Sequence, residues 1–186
     1  MSKSIVVSGP PAIGKTTVAK GLAKEFSLNY LSGGDILKEL ASEQGFSSSG
    51  DDWWDTEDGM KFLNQRKENP EFDKKVDEKL IKLFEKDDVV ITSYTLPWLI
   101  DSGIKLWLSG TIENSAKRMQ NRDNMEESSA FEVVNKRFNE NKLIYKNLYN
   151  FEFGDDLSVF DKIIQTDGID AEKVLEIAKS SVRELL

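Results

Sequence analysis

The stretch from Ile5 to Thr16, which reads IVVSGPPAIGKT, decides the fold class. It opens with the apolar run Ile5–Val7, which is typical of a short buried strand. The residues from Gly9 to Thr16 then match the pattern G-x-x-x-x-G-K-[ST] at every fixed position. Apolar residues recur at helical spacing from there to Phe26. A strand, a glycine-rich turn and a helix in this order predict a phosphate-binding P-loop.

The fixed residues of this motif have separate roles in holding phosphate. Glycines let successive backbone N–H groups converge on phosphate oxygens, and the helix N-terminus adds positive potential. Lys15 brings a positive charge to the outer phosphates, and the Thr16 hydroxyl is a candidate ligand for Mg²⁺. We therefore predict that ATP binds here together with Mg²⁺. The loop residues predicted to bind ATP are Gly9, Pro10, Pro11, Ala12, Ile13, Gly14, Lys15, Thr16 and Thr17.

The composition excludes several kinds of chemistry. Among 186 residues there is no cysteine and no histidine, which excludes disulfides, thiol nucleophiles, Ser-His-Asp triads and Cys/His metal sites. The net charge of −8 argues against a nucleic-acid partner, because phosphate backbones need clustered cations. No signal peptide is expected, and no apolar run approaches the roughly 20 residues of a membrane span. We expect a cytoplasmic, monomeric protein with a single domain over 1–186.

Short apolar runs alternate with helical patterns along the chain. The predicted strands lie at 5–8, 28–31, 89–91, 105–108 and 162–165, and the predicted helices at 16–26, 36–44, 112–122, 129–149 and 170–185. A further helix is expected to open at Pro70, and residues 45–59 are expected to form a polar loop. This alternation is typical of α/β proteins in which helices cover both faces of a parallel sheet, a three-layer αβα sandwich.

The arginines point to phosphoryl transfer among the P-loop classes. A GTPase would need D-x-x-G and N-K-x-D motifs, and the nearest match, at 135–138, reads NKRF. The chain is also short for a motor ATPase, which leaves a small phosphotransferase. Three of the five arginines are Arg118, Arg122 and Arg137. Forked guanidinium groups stabilise the charge of a transferring phosphoryl group. The alternative for each is a solvated helix face with weak surface ion pairs.

The chain resembles the nucleoside monophosphate kinases, and most closely the archaeal-type cytidylate kinases. Besides the P-loop, the resemblance is carried by 31–40 (LSGGDILKEL), 104–108 (IKLWL), 116–119 (AKRM) with Arg122, and 155–161 (DDLSVFD). It implies a P-loop NTPase core at 1–32, 87–118 and 138–186. It also implies a helical monophosphate-binding insertion at about 33–86 and a lid at about 119–137.

The resemblance implies an activity and a set of catalytic residues. The reaction would be Mg²⁺-assisted transfer from ATP to CMP or dCMP, giving CDP or dCDP. Arg118 would lie over the adenine side, with Arg122 and Arg137 toward the phosphates. Asp167 and Gly168 would line the base or ribose of ATP, mainly through the backbone. The implied catalytic residues are Lys15, Arg118, Arg122 and Arg137.

The candidate acceptor-binding residues are Asp35, Lys38, Asp77 and Tyr94. Simpler interpretations exist for most of them. Asp35 could cap a helix, Asp77 could lie on a solvated helix face, and Tyr94 could be structural support at a strand end. Trp53 and Trp54 could stack on a base, or they could form the small core of the insertion.

The sequence departs from the family pattern on the acceptor side. Residues 92–94 read Thr-Ser-Tyr where an acid, a glycine and an arginine usually follow the third strand. Glu78-Lys79 replaces paired arginines, and Lys38 and Ile144 stand at two further arginine positions. Lysine lacks the bidentate geometry of arginine. Two alternatives therefore stay open: a P-loop kinase of a different small acceptor, and a non-catalytic ATP-binding or regulatory protein.

Overall fold

A computed structural model describes residues 4–43, 45–46, 53, 56–86 and 88–186. Its centre is a five-stranded, fully parallel sheet with the order β2-β3-β1-β4-β5. The strands are β1 (Ile5–Ser8), β2 (Asn29–Ser32), β3 (Val89–Thr92), β4 (Ile104–Ser109) and β5 (Lys162–Gln165). All five predicted strands are present, and β2 lies one residue later than predicted. The parallel α/β fold is thus confirmed.

Helices cover both faces of the sheet, because alternate residues of each strand point to opposite sides. Ile5 and Val7 pack with one set of helices, α1 and α8, whereas Val6 packs with α2, α4 and α5. The described helices are α1 (Lys15–Phe26), α2 (Gly33–Glu43), α3 (Glu57–Glu68), α4 (Glu71–Lys86), α5 (Leu96–Leu99), α6 (Ile112–Asp123), α7 (Glu127–Tyr149) and α8 (Ala171–Leu185). Within the described ranges, none of these helices has the length and apolar character to cross a membrane.

The prediction of a polar loop up to residue 59 is wrong at its end, where helix α3 begins at Glu57. The Thr56 hydroxyl accepts a hydrogen bond from the Gly59 N–H (3.2 Å) and caps the helix. Phe62 is fully buried and meets the rings of Phe46 and Phe72 at 5.2 and 5.5 Å. A cap and tertiary packing therefore hold a helix in which half of the residues are charged. The short helix α5 was not predicted either.

The topology places a crevice above the carboxyl end of β1. The chain leaves β1 for β2 and β3 on one side and later forms β4 on the other side. Loops from adjacent parallel strands separate at such a switch point, which is where ligands of open α/β sheets bind. The P-loop follows β1, and residues 93–95 follow β3, so both segments border this crevice.

Candidate active site

A cleft of about 610 Å³ lies at this switch point. The start of α1, helices α2 to α4, and helices α6 and α7 all contribute residues to its lining. Residues 12–17 of the P-loop line it, whereas Asp167 and Gly168 are not among its lining residues. The predicted catalytic and acceptor residues that the cleft brings together are Lys15, Asp35, Lys38, Asp77, Tyr94, Arg118, Arg122 and Arg137.

The P-loop can turn tightly because Gly9 occupies its first position. Gly9 has a φ of +148°, and a Cβ there would lie 2.5 Å from the carbonyl oxygen of Leu108 on β4. Only glycine fits this close approach without strain. The turn ends at Gly14, the residue before α1, so the free N–H groups of the first helical turn face the cleft that residues 14–17 line.

Lys15 directs its ammonium group to the inner side of the loop. Nζ donates to the carbonyl oxygens of Gly9 (3.0 Å) and Pro10 (2.6 Å) and lies 4.6 Å from the ring centroid of Tyr94. Burial, and next the positive charge of Arg137, lower the pKa of Lys15 well below its usual value. Two cations that disfavour each other across a cleft are stabilised together when an anion binds between them.

The three lid-side arginines have different surroundings. Arg118 donates from Nη1 to the Thr166 hydroxyl (3.1 Å) and from Nη2 to the Thr166 carbonyl (2.8 Å), which ties α6 to the end of β5. Arg122 is exposed and forms a two-point ion pair with Asp123 at 2.5 and 2.6 Å. Arg137 comes from α7, the helix that follows α6 along the chain. All three line the cleft, and their roles stay predictions.

Asp167 is held by protein groups rather than directed into the cleft. Its carboxylate accepts from the Thr111 N–H (2.9 Å) and the Asn114 side-chain amide (2.5 Å). The Asn114 hydrogen bond is the main cause that lowers the pKa of Asp167. The side chain thus joins the end of β5 to the start of α6, and a contact of 167–168 with a nucleotide stays a prediction.

Asp35 does not cap α2, so that interpretation is wrong. The helix begins two residues earlier, at Gly33, and the Ser32 hydroxyl accepts from the Asp35 N–H (3.2 Å) in the capping position. Gly33 suits this start because a Cβ there would lie 3.1 Å from both the Thr92 carbonyl oxygen and Leu80 Cδ1. The Asp35 carboxylate is 64% exposed, 3.8 Å from the ammonium of Lys38.

Asp77 is buried in the cleft wall, and the solvated-face interpretation is wrong. It is 4% exposed, with the Thr95 hydroxyl donating to Oδ1 and the Tyr149 hydroxyl donating to Oδ2 (2.7 Å). Burial raises the pKa of Asp77 to about 6, although the two hydroxyl donors act in the opposite direction. Asp77 is therefore a mostly ionised, acceptor-only group at neutral pH.

Replacing Asp77 by asparagine should change how stability depends on pH. From its usual 3.8 up to the folded pKa of about 6, the folded state holds the Asp77 proton more tightly than the unfolded state. The contribution of Asp77 to the free energy of unfolding therefore falls by about 3 kcal/mol as pH rises through this window. Asp77→Asn should lack this fall in urea unfolding. Parallel curves for the two proteins would contradict the raised pKa.

A buried network around Arg66 escaped the sequence analysis. Nε and Nη2 of Arg66 donate to Asp73 at 3.0 and 2.5 Å, and Nη2 also lies 3.3 Å from the Tyr145 hydroxyl and 3.4 Å from Asn141 Oδ1. The Asn141 amide donates to the Arg137 carbonyl (2.7 Å). Burial opposes the charge of Arg66, but Asp73 and Tyr145 raise its pKa above the usual value. The network joins α3 and α4 to the helix that carries Arg137.

The signal for Arg66 in the sequence was weak. It lies in α3, the helix that was not predicted, so no face could be assigned to it. Trp53 is a core residue, since it is 2% exposed and its ring centroid lies 5.7 Å from that of Phe62. Trp54 and most of the acidic segment 51–58 lie outside the described residues. The ring centroid of Tyr94 lies 6.3 Å from that of Tyr145 and 5.3 Å from that of Phe153.

The donors in the cleft fit a Mg²⁺ ion that arrives with a nucleotide. Mg²⁺ in kinases is held mostly by substrate phosphates and water, with one or two protein oxygens. The exposed Thr16 hydroxyl and the Asp35 carboxylate line the cleft, and the Thr92 hydroxyl stands where an acid was expected. In the part of the chain that the structure describes, no cluster of three or more Asp, Glu, His or Cys could hold a metal by itself.

Comparison with known proteins identifies the family of this chain. A family model described as "AAA domain" matches residues 8–113. The cytidylate kinase of Sulfurisphaera tokodaii is 32% identical over 185 residues, which cover 98% of this chain and 96% of the relative. That of Methanocaldococcus jannaschii is 30% identical over 186 residues, 97% and 98% of the two chains. The chain belongs to the cytidylate kinase family. It is thus an enzyme of the nucleoside monophosphate kinase class, with the P-loop that the sequence predicted.

Solved structures support the fold of this family member. A shikimate kinase from Acinetobacter baumannii, in complex with shikimate, superposes with a TM-score of 0.58 at 16% identity, covering 98% of this chain and 92% of that one. A gluconokinase from Sinorhizobium meliloti gives 0.57 at 16% identity, covering 99% and 93%. At these identities the likeness extends to the P-loop kinase fold alone.

Proposed function

We propose that the protein transfers the terminal phosphoryl group of ATP, with Mg²⁺, to CMP or dCMP. One observation carries the proposal: Lys15, the P-loop and three arginines meet in one cleft together with a polar wall of buried side chains, which is formed by Arg66, Asp73 and Asp77. The cations suit phosphates, and the buried polar side chains suit the base of an acceptor. The relatives named cytidylate kinase support the choice of acceptor.

The chain's own residues would act by positioning and by charge. An acceptor phosphate oxygen attacks the terminal phosphorus, the bond to the bridging oxygen breaks, and ADP leaves with that electron pair. The attacking oxygen is already ionised, so the lack of histidine is no obstacle. Lys15, Arg118, Arg122 and Arg137 would hold the phosphates and the charge that spreads over the transferring group. Mg²⁺, when bound, would neutralise charge between the outer phosphates.

The proposal includes movement of two segments of the chain. The segment at about 33–86 would carry the acceptor, and the segment at about 119–137 would carry arginines over the phosphates. Closure of both would exclude water, so that ATP is not hydrolysed. Residues 167–168 would contact the adenosine through their backbone. That the enzyme works as a monomer in the cytoplasm also stays a prediction.

An acceptor panel tests this function. ATP and Mg²⁺ are supplied with CMP, dCMP, UMP or AMP, or with the alcohols shikimate and gluconate, and ADP release is measured by a coupled assay. We expect the highest kcat/KM for CMP or dCMP. Faster transfer to an alcohol would instead indicate a kinase of another small acceptor. Tight ATP binding without acceptor-dependent turnover would indicate a non-catalytic protein.

The alternative of a different acceptor has one specific observation in its favour. Three of the family's acceptor-side groups are replaced by Thr92, Tyr94 and Lys38, and all three replacements line the cleft. Lys38 is moreover close to Asp35, which offsets its charge. The panel therefore includes acceptors without a phosphate, which would not need the arginines that the family has at these positions.

A further inference from the structure

Arg66 offers a hydrogen-bond donor to the cleft that no part of the phosphate machinery uses. The residue is 3% exposed, yet it lines the cleft. Asp73 engages Nε and Nη2, and Asn141 and Tyr145 share the other side of Nη2. Among the described residues, Nη1 has no hydrogen-bond partner, so its two N–H groups remain to be satisfied. Nη1 is not one of the fully buried atoms without a partner in the described part of the chain, so this arm is accessible from the cleft to water or to a ligand.

Asp77 offers acceptors beside this donor. It lies four residues after Asp73 on α4, so the two carboxylates share one face of the helix. Thr95 and Tyr149 each occupy one of its two oxygens, and each oxygen keeps a further lone pair. Arg66 and Asp77 both line the cleft, and Asp73, which binds Arg66, lies one helical turn before Asp77.

The charges of this wall favour a nucleobase over a phosphate. Arg66 is neutralised by Asp73, and Asp77 adds a negative charge above its own pKa, so the wall has no excess of positive charge. A phosphate group would be repelled here, while Lys15 and the three arginines of α6 and α7 serve it elsewhere in the cleft. A donor-only group next to an acceptor-only group instead matches a base edge that presents a ring nitrogen beside an amine.

We propose that Arg66 is a specificity-determining residue that, together with Asp77, binds the amino edge of a pyrimidine. Nη1 of Arg66 donates to the ring nitrogen N3 of cytosine, and Asp77 accepts from the neighbouring exocyclic amine. Uracil reverses both partners, since it has N–H at N3 and a carbonyl in place of the amine. This inference rests on the proposed function and adds the means by which the acceptor's base is chosen.

Two variants test the role of Arg66 with the full chain. Arg66→Lys keeps a cation for Asp73 but lacks the second arm of the fork. The double variant Arg66→Met/Asp73→Leu removes the donor and leaves no unpaired buried charge. In both, the ratio of kcat/KM for CMP over UMP should fall about tenfold, the size of one lost hydrogen bond from a charged donor to the base. The KM for ATP and the inhibition constant of ribose 5-phosphate, which has no base, should stay unchanged.

A matched control is Arg183→Lys, at an exposed arginine that pairs with Glu25 far from the cleft. It should leave the CMP over UMP ratio as in the wild type. The inference is overturned if both Arg66 variants keep the wild-type ratio. It is equally overturned if kcat/KM for CMP and UMP falls by the same factor and ribose 5-phosphate binds more weakly, because Arg66 would then serve the phosphate. A wild type that transfers to no monophosphate overturns the proposed function as well, which distinguishes the two failures.

Discussion

The Lys15→Ala variant should lose phosphoryl transfer by a factor of about 10³ or more in kcat. In the proposed mechanism Lys15 is the P-loop cation that contacts the phosphates of ATP, and its Nζ lies 4.6 Å from the centroid of the Tyr94 ring. Alanine removes this charge without filling the space. A coupled assay of ADP release, with saturating ATP and CMP, measures the loss.

The fold of the Lys15→Ala variant should stay intact. The two carbonyl oxygens of Gly9 and Pro10 lose a donor, which costs about 1 kcal/mol each at most. Removing a cation that burial disfavours offsets part of that cost. Thermal melting should therefore show a small change. Lys24→Ala, at an exposed position in the last turn of the same helix, is the matched control and should keep the wild-type kcat.

Calorimetry separates binding from chemistry in the same pair of proteins. The wild type should release heat on binding ATP with Mg²⁺, and Lys15→Ala should bind more weakly. A well-folded wild type with no heat of association would remove the P-loop assignment and every role that depends on it. A Lys15→Ala protein with the wild-type kcat would contradict only the role of this lysine.

The central strands β1, β3 and β4 could be predicted from the sequence because they are buried on both faces, whereas the edge strands β2 and β5 are mostly half-buried or exposed. Strands buried on both faces read as continuous apolar runs, for example Ile5–Val7 and Val89–Ile91, and these need no knowledge of their neighbours. Helix α3 could not be predicted in this way. Its stability depends on the Thr56 cap and on Phe62 packing against rings from distant parts of the chain. The start of α2 at Gly33 could not be predicted for a similar reason, since the close approach of Gly33 to Thr92 is visible only in the folded protein.

One part of the candidate site could likewise be predicted from the sequence, and another part could not. The P-loop could be found because its function depends on backbone shape, which a local run of residues from Gly9 to Thr16 determines. The polar wall could not, because Arg66, Asp77 and Tyr149 come from three helices that only tertiary packing brings together. Asp77 was a candidate, but its burial and the hydroxyls that bind it follow from the packing of α4 against α7 and against the segment that follows β3.

Breaking the buried ion pair between Arg66 and Asp73 should destabilise the fold by about 3–5 kcal/mol. Both side chains are about 95% buried and are joined by two hydrogen bonds. Arg66→Met leaves the Asp73 carboxylate buried without its cation, and Asp73→Leu leaves the guanidinium in the same position. Native proteins of this size are stable by only about 5–15 kcal/mol, so either single variant should unfold at a much lower urea concentration.

The double variant Arg66→Met/Asp73→Leu should recover most of that loss, because no buried charge is then left without a partner. Urea unfolding of the wild type, both single variants and the double variant forms a complete thermodynamic cycle. The exposed pair of Arg183 and Glu25 is the control, and Arg183→Met should change stability little. Single variants as stable as the wild type would contradict the buried network. A double variant as unstable as the singles would show that Asn141 and Tyr145 need the guanidinium itself, rather than the balance of charge.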